Sequence, residues 1–546
     1  MSSRRRALKL IPAVAAIALL VSSCTNSGDT NTTTDASDSI TVAIAAMPTS
    51  YDLEGNWAAS NENYTLWSQT MVGLLRYKYV ETDGVLVQDF NQYEGVLADE
   101  DEPYTVSDDG QDYTFHLREG VVSQAGNPFT AQDVYYSIDR KLSVDGGRLN
   151  QIKDYFYSID QLEIVDDYTI TFHLDDVGND NVFLQMLTGQ MGRIWDSTEM
   201  KAHATTDDPW SEDWAAQNTG AGYGPYDVDS VTADQQVVLT ANEDYVLGAP
   251  AIKTVTLQVV SDSGTRAQML ASSDVQIAEA LTPTDQESIQ DDENVQMAEV
   301  DNPIEFVDLA LVQNKAPFDD KLVRQAFMYA VPYDELIEQI YRGRATTSPG
   351  WFTPTMGVPG LSTDPAYTYD IDKAKELLAE AGKSSVDVTL TVSNAIPDIV
   401  DAAIMIASYA KDAGFNVTVE QLAPAEFATG RLETTFESML MSNRSQQQAP
   451  SYVRNFFLPG DVSNSGAYVP TDEWLALNQV AIDAGTGTSE EAAPYWEKVN
   501  EFINDDASQL PILYRQPNQA YATTLEGMSY RYDNTVDYSV LTPAGS

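Results

Sequence analysis

One segment constrains the chain more than any other, the run from Tyr113 to Arg140, YTFHLREGVVSQAGNPFTAQDVYYSIDR. Tyr113, Phe115 and Leu117 alternate with Thr114, His116 and Arg118, the period of a half-buried strand. A turn follows at Gly126-Asn127-Pro128. Thr130 then stands at a helix N-cap, Asp133 three residues later completes an imperfect capping box, and Val134 and Ile138 mark a buried helical face. The segment therefore predicts strand, turn and capped helix.

The same alternation of elements recurs. Ile40 to Ala46 reads as a strand, Ile252 to Val260 as a strand, Thr265 to Ala271 as a helix and Val275 to Ala278 as a strand. Val386 to Val392, Ile399 to Ala413 and Asn416 to Gln421 form a strand, helix and strand. Such alternation predicts α/β architecture with a mainly parallel sheet. Pro332 ends one helix, and Leu336, Ile337 and Ile340 restart the stripe until Gly343; Asp370 caps another helix, which stops at Gly382. At 546 residues the chain exceeds what one core supports, so two or more lobes are expected.

Acidic residues number 83 against 30 basic ones, for a formal charge of -53. Such a field repels nucleic acid, which excludes that class of partner. The excess is spread over every region, as on a solvated surface; a preference for basic ligands is the lesser alternative. Cys24 is the one cysteine, so there is no intramolecular disulfide and no cysteine metal cluster. His116 and His173 fall on polar strand faces without a third obvious ligand, and no metal is assigned.

Residues 1 to 24 begin with Arg4, Arg5 and Arg6, continue through an apolar run from Leu10 to Val21 and end at Ser22-Ser23-Cys24. This describes an export signal whose apolar run falls short of the roughly 20 residues of a membrane span. VSSC resembles a bacterial lipobox, in which Cys24 becomes the lipid-bearing first residue. The export route, general or twin-arginine, stays open. Thr25 to Ser39 is polar and reads as a flexible tether.

YTFHLREGV followed by NPFTAQDVYYSIDR closely resembles the hallmark segment of the extracytoplasmic solute-binding proteins of family 5, the oligopeptide- and dipeptide-binding components of ABC importers. Other stretches match in order: Tyr51-Asp52-Leu53, Val72-Gly73-Leu74, the NTGAGYGPYD turn at 218 to 227, Arg266 with Leu270, PFDDKLVRQAFMYA from Pro317, DIDKAKELLAEAG from Asp370 and LPILY from Leu510. The resemblance implies a two-lobed, periplasmic-binding-protein-like fold of type II, cluster C-like, with an extra inserted domain. It implies lobe I at 40–80, 190–300 and 505–546, an inserted domain II at 81–189 and lobe III at 301–504, with LPILY returning the chain to lobe I. It implies a monomer without enzymatic activity or cofactor, lipid-anchored outside the bacterial membrane, which closes on a small solute by a hinge motion and delivers it to an ABC permease and its ATPase. Peptide is the leading ligand, and oligosaccharide or another polar solute the alternative.

In peptide-binding members, the segment after the VTVEQL-like strand carries an acid that pairs with the ligand's α-amino group. Here the corresponding residues, Met439 to Leu458, lack that acid. Asn443, Arg444, Ser445, Gln446 and Tyr452 stand there instead: a guanidinium suits a carboxylate, and amides suit peptide backbones or sugar hydroxyls. A solvent-exposed polar loop is the other reading of the glutamines. Tyr51 and Trp57 fall at the expected cleft mouth and Trp351 near the expected lining, as ligand contacts or as ordinary packing aromatics. No G-x-S-x-G, H-E-x-x-H or P-loop appears. A secreted hydrolase and a surface adhesin are the rivals from other classes.

Overall fold

The computed structural model describes residues 38–54, 61–144, 156–175, 180–300, 304–445, 447–459, 461, 463–485 and 489–545. The expected export signal with Cys24, residues 25–37 of the tether, Trp57 and Gln446 lie outside the described residues.

Two large sheets organise the chain. The first has seven strands in the order Val295–Glu299, Asn518–Ala522, Ile277–Ala278, Ser39–Ile44, Thr254–Val259, Gln236–Ala241, Tyr226–Thr232. The second has six: Ala345–Thr347, Gln509–Arg515, Glu305–Leu311, Ser438–Arg444, Val386–Ser393, Phe415–Leu422. A four-stranded antiparallel sheet at 104–173 belongs to a smaller body, whose core draws on residues from Leu53 to Tyr245. Each large sheet has its own apolar core, around Val42 and Leu257 in the first and around Leu309 and Leu390 in the second. This is a two-lobed α/β architecture.

The hallmark segment folds as its pattern predicts. Asp112–His116 is a strand with Tyr113 and Phe115 buried. Thr130 caps the helix Ala131–Ser143, and the Asp133 carboxylate accepts from the Thr130 main-chain N–H at 2.7 Å. Val386–Ser393, the helix Pro397–Tyr409 and Phe415–Leu422 form the expected parallel unit. Asp370 caps its helix through Lys373 N, and Gly382 ends it at φ +72°.

Two expectations need correction. The sheets are mixed rather than mainly parallel. Ser39–Ile44 does run parallel to Thr254–Val259 and Ile277–Ala278, but the other pairs of the first sheet are antiparallel. The reason is local: only three residues separate Tyr226–Thr232 from Gln236–Ala241, too few for a parallel crossover. Nor does LPILY return the chain to the first lobe. Gln509–Arg515 pairs with Glu305–Leu311 and Ala345–Thr347 in the second sheet, and the crossing comes after Arg515. An apolar run buried on both faces fits the centre of either sheet, so its composition does not choose between them.

Candidate functional site: the cleft between the large sheets

The chain passes from the first sheet to the second ahead of Glu305 and returns after Arg515, so both strand ends lie at the same edge. Register then fixes the chemistry. Glu305 is paired with Arg444 on one side and with Arg515 on the other, which brings one carboxylate between two guanidiniums. Glu305 lies 3.8 Å from Arg444 and 3.7 Å from Arg515. Arg515 also approaches Asp398 at 3.6 Å, donates to Ser442 Oγ at 3.2 Å and sits over the Tyr341 ring at 5.6 Å. None of these ion-pair distances is the 2.7–2.9 Å of a fully formed charge-assisted bond. Burial works against both guanidinium charges, but Tyr64 and Glu305 beside Arg444, and Asp398 and Glu305 beside Arg515, outweigh it and hold both groups above their ordinary range.

The facing wall comes from the first lobe. The helix Asn61–Thr70 turns Tyr64 toward Arg444, whose guanidinium lies 4.9 Å from the ring centroid. A cavity of about 70 Å³ lies between the lobes, lined by Asn61, Glu62, Glu279, Glu305, Arg515 and Tyr530 among others. Its floor includes Gln516, Pro517 and Asn518 of the return crossing.

Positioning on this wall starts from the Arg266 matched in the sequence. Buried at the start of the helix Ser263–Ala271, it donates to the main-chain oxygens of Glu279 at 2.9 Å and Ala280 at 2.7 Å. It also holds Val260 O and Ser261 O, at 2.7 and 3.1 Å. One guanidinium thus fixes the loop that presents the Glu279 side chain.

A second bridge lies deeper. Gln185, from the smaller body, accepts from Gln448 N at 2.6 Å and donates to Gln448 O at 3.2 Å. Gln448 also accepts from the Thr355 hydroxyl at 2.6 Å. The glutamine run therefore contributes a buried joint between lobes, since Gln448 is 4 % exposed.

The residues anticipated from the sequence divide into groups. Asn443, Arg444 and Ser445 come together at the end of Ser438–Arg444, with Asn443 Nδ2 donating to buried Asp308 at 3.1 Å. Burial pushes the Asp308 carboxyl up to about 6, against the donors Asn443 and Gln509. Ser445 Oγ is buried and has no partner among the described residues. Trp351 and Tyr452 lie behind the cleft in an aromatic cluster: Trp351 is 1 % exposed, sits 4.1 Å from Phe456 and donates from its ring N–H to Gln509 O at 2.7 Å. Tyr452 packs edge-on to the same Phe456 at 5.9 Å. Tyr51 is half-buried, and its main-chain O accepts from Trp67 Nε1 at 3.1 Å. Sequence reasoning missed Glu279, Glu305, Asp398 and Arg515; the one local signal was that Arg515 directly follows LPILY.

A family profile described as bacterial extracellular solute-binding proteins, family 5, middle region, matches residues 92–464. The chain belongs to that family. Family 5 proteins are the extracytoplasmic binding components of ABC importers; they take up peptides or related small solutes for a permease and its ATPase and are not enzymes. The chain is 27 % identical over 500 residues to the probable D,D-dipeptide-binding periplasmic protein DdpA of Escherichia coli, covering 90 % of this chain and 92 % of that one. It is also 27 % identical over 440 residues to heme-binding protein A of Haemophilus influenzae, covering 76 % and 78 %. Among solved structures, the periplasmic binding protein DppA of Helicobacter pylori, in complex with the peptide STSA, superposes with a TM-score of 0.78 at 22 % identity, over 92 % of this chain and 98 % of that one. Among the described residues of this family 5 chain, no three His, Cys, Asp or Glu side chains gather as a metal site, and no helix is long and apolar enough to cross a membrane.

Proposed function

We propose that this family 5 protein is a peptide-binding lipoprotein, a monomer held outside the bacterial membrane by lipid on Cys24. The observation that carries the reading is the charged cavity between the lobes, where Glu279 and Glu62 stand on one wall and Arg515 and Glu305 at the crossing. A neutral oligosaccharide leaves the acids of the first wall without a counter-ion, whereas a peptide brings an ammonium to them. DdpA, named for dipeptides, and the peptide-bound DppA point the same way. In this reading Arg444 takes the ligand carboxylate, Asn443, Ser445 and Gln446 serve its backbone, Tyr51 and Trp57 touch the ligand, and Trp351 and Tyr452 support the wall from behind. Lobe I at 40–80, 190–300 and 505–546, domain II at 81–189 and lobe III at 301–504 remain proposed divisions, with Gln509–Arg515 moved to lobe III by its pairing in the second sheet.

Screening the purified protein by thermal melting against mixed-length peptides and against oligosaccharides tests this. Peptides at about 100 times Kd should add about 2.7 kcal/mol of stability. A response to sugars alone would overturn the peptide reading. For a peptide that binds, Arg444→Ala should weaken affinity about 100-fold for the free carboxylate and little for the C-terminal amide. Equal losses for both would remove Arg444 from carboxylate recognition.

A further inference from the structure

The cavity wall includes a buried carboxylate that has no counter-ion among the described residues. Glu279 lies on its wall and is 8 % exposed. It accepts from the Tyr538 hydroxyl at 2.7 Å and the Thr65 hydroxyl at 3.2 Å, both neutral donors. Among the described residues it forms no ion pair. Arg266, the cation that acts on it from the helix Ser263–Ala271, has its donors engaged by main-chain oxygens. From the helix Asn61–Thr70, Glu62 adds negative charge rather than relieving it. At the lobe crossing, Arg515 is already shared between Glu305 and Asp398. A carboxylate taken out of water without a counter-ion is costly, and in a ligand cleft it marks where a cation belongs.

We propose that Glu279 receives a cationic group of the ligand, an ammonium, and gives up a proton when that group docks. The carboxyl O–H bond breaks, the proton passes to solvent, and the carboxylate left behind pairs with the ammonium. The inference rests on the peptide reading only for the identity of that group, which is then a free amino terminus. It places amine recognition in the lobe opposite the Met439 to Leu458 stretch, where no acid stands.

The proton is available near neutral pH. Burial, reinforced by Glu62 and only partly opposed by Tyr538, Thr65 and Arg266, pushes the Glu279 carboxyl up to about 7. In the unfolded chain the group titrates at about 4.3. Between these values the folded state binds more protons, so stability is fully present below the lower value and falls as pH rises to the upper one. Glu279→Gln removes that dependence. In the ligand-free protein it should raise the melting midpoint by a few degrees at about pH 8 and leave it unchanged at about pH 4.

Binding is tested with mixed tripeptides bearing free amino termini, the same mixture N-acetylated, and neutral oligosaccharides of matching size. The expected result is that free amines bind about 100-fold more tightly than acetylated ones. Calorimetry in buffers of different ionisation enthalpy should then read about one proton released per ligand at about pH 6, and none for Glu279→Gln. Equal binding of acetylated peptides, or undiminished proton release by the variant, overturns the role of Glu279 and leaves the peptide reading standing. A response to oligosaccharides alone, or to nothing, overturns both.

Discussion

Replacing Arg140 with methionine should lower the thermal midpoint by about 3–4 °C at about pH 8. Arg140 is fully buried near the end of the helix Ala131–Ser143 and grips Asp52 with two bonds, of 2.8 and 2.7 Å. It also bonds Glu54, donates to Trp210 O at 3.0 Å and lies over the Trp195 ring at 5.2 Å. Glu54 has further support from Lys141 at 3.0 Å and Trp195 Nε1 at 2.9 Å, but Asp52 has no second cation among the described residues. Methionine fills space without charge and strands the Asp52 carboxylate in a dry site, a loss of about 3–5 kcal/mol.

Burial works to raise both carboxyls. At Asp52 it prevails even with Arg140 present, whereas at Glu54 Lys141 and Arg140 outweigh it and hold the group below its ordinary range. Without Arg140 both rise, and the folded variant binds protons that the unfolded chain releases. Its deficit should therefore shrink as pH falls toward the ordinary carboxylate range, because a protonated carboxyl no longer needs a partner. Lys373→Ala is the contrast: its pair with Glu376 is exposed and should cost under about 0.5 kcal/mol. An Arg140→Met midpoint within about 1 °C of the parent at pH 8 would refute the stranded-charge account.

This cluster also shows where sequence reading stops. Tyr51-Asp52-Leu53 and the helix that carries Arg140 are both visible in the sequence as separate stretches, and the local structure of that helix follows from spacing and capping. That they meet does not, because 88 residues separate Asp52 from Arg140. The cleft is the same problem at longer range. Arg444 stood out as a basic residue in a stretch where an acid was expected, but Glu279 and Glu305 are two of 83 acids, and nothing local separates them from surface charge. Only strand register, which joins positions 305, 444 and 515, reveals the shared carboxylate. Trp351 illustrates the converse: an aromatic near a cleft is as easily packing as ligand contact, and its ring lies in the core of the second lobe.

Within the NTGAGYGPYD turn, Gly222→Ala and Gly224→Ala should each cost about 3 kcal/mol or more, while Gly220→Ala changes stability by less than about 0.5 kcal/mol. The three glycines look alike in sequence but face different surroundings. A Cβ on Gly222 would stand 2.1 Å from Thr70 O, and one on Gly224 would stand 2.4 Å from Gln69 O; a Cβ on Gly220 meets nothing within 4 Å. The obstacle is main chain, at the end of a helix whose residues 63–70 are all buried. The turn is also bonded there: Gly224 donates to Thr70 O at 3.0 Å, and Gln124 joins Thr70 O to Tyr226 O at 3.2 and 2.8 Å. No side chain can rotate aside, so the helix or the turn must move. Because that helix carries Tyr64 and Thr65, the two damaging substitutions should also weaken ligand binding, a loss readable as a smaller thermal shift at fixed ligand concentration. If Gly224→Ala melted with the parent protein, or if Gly220→Ala were as harmful as the other two, the close approach of turn and helix would not be what requires glycine here.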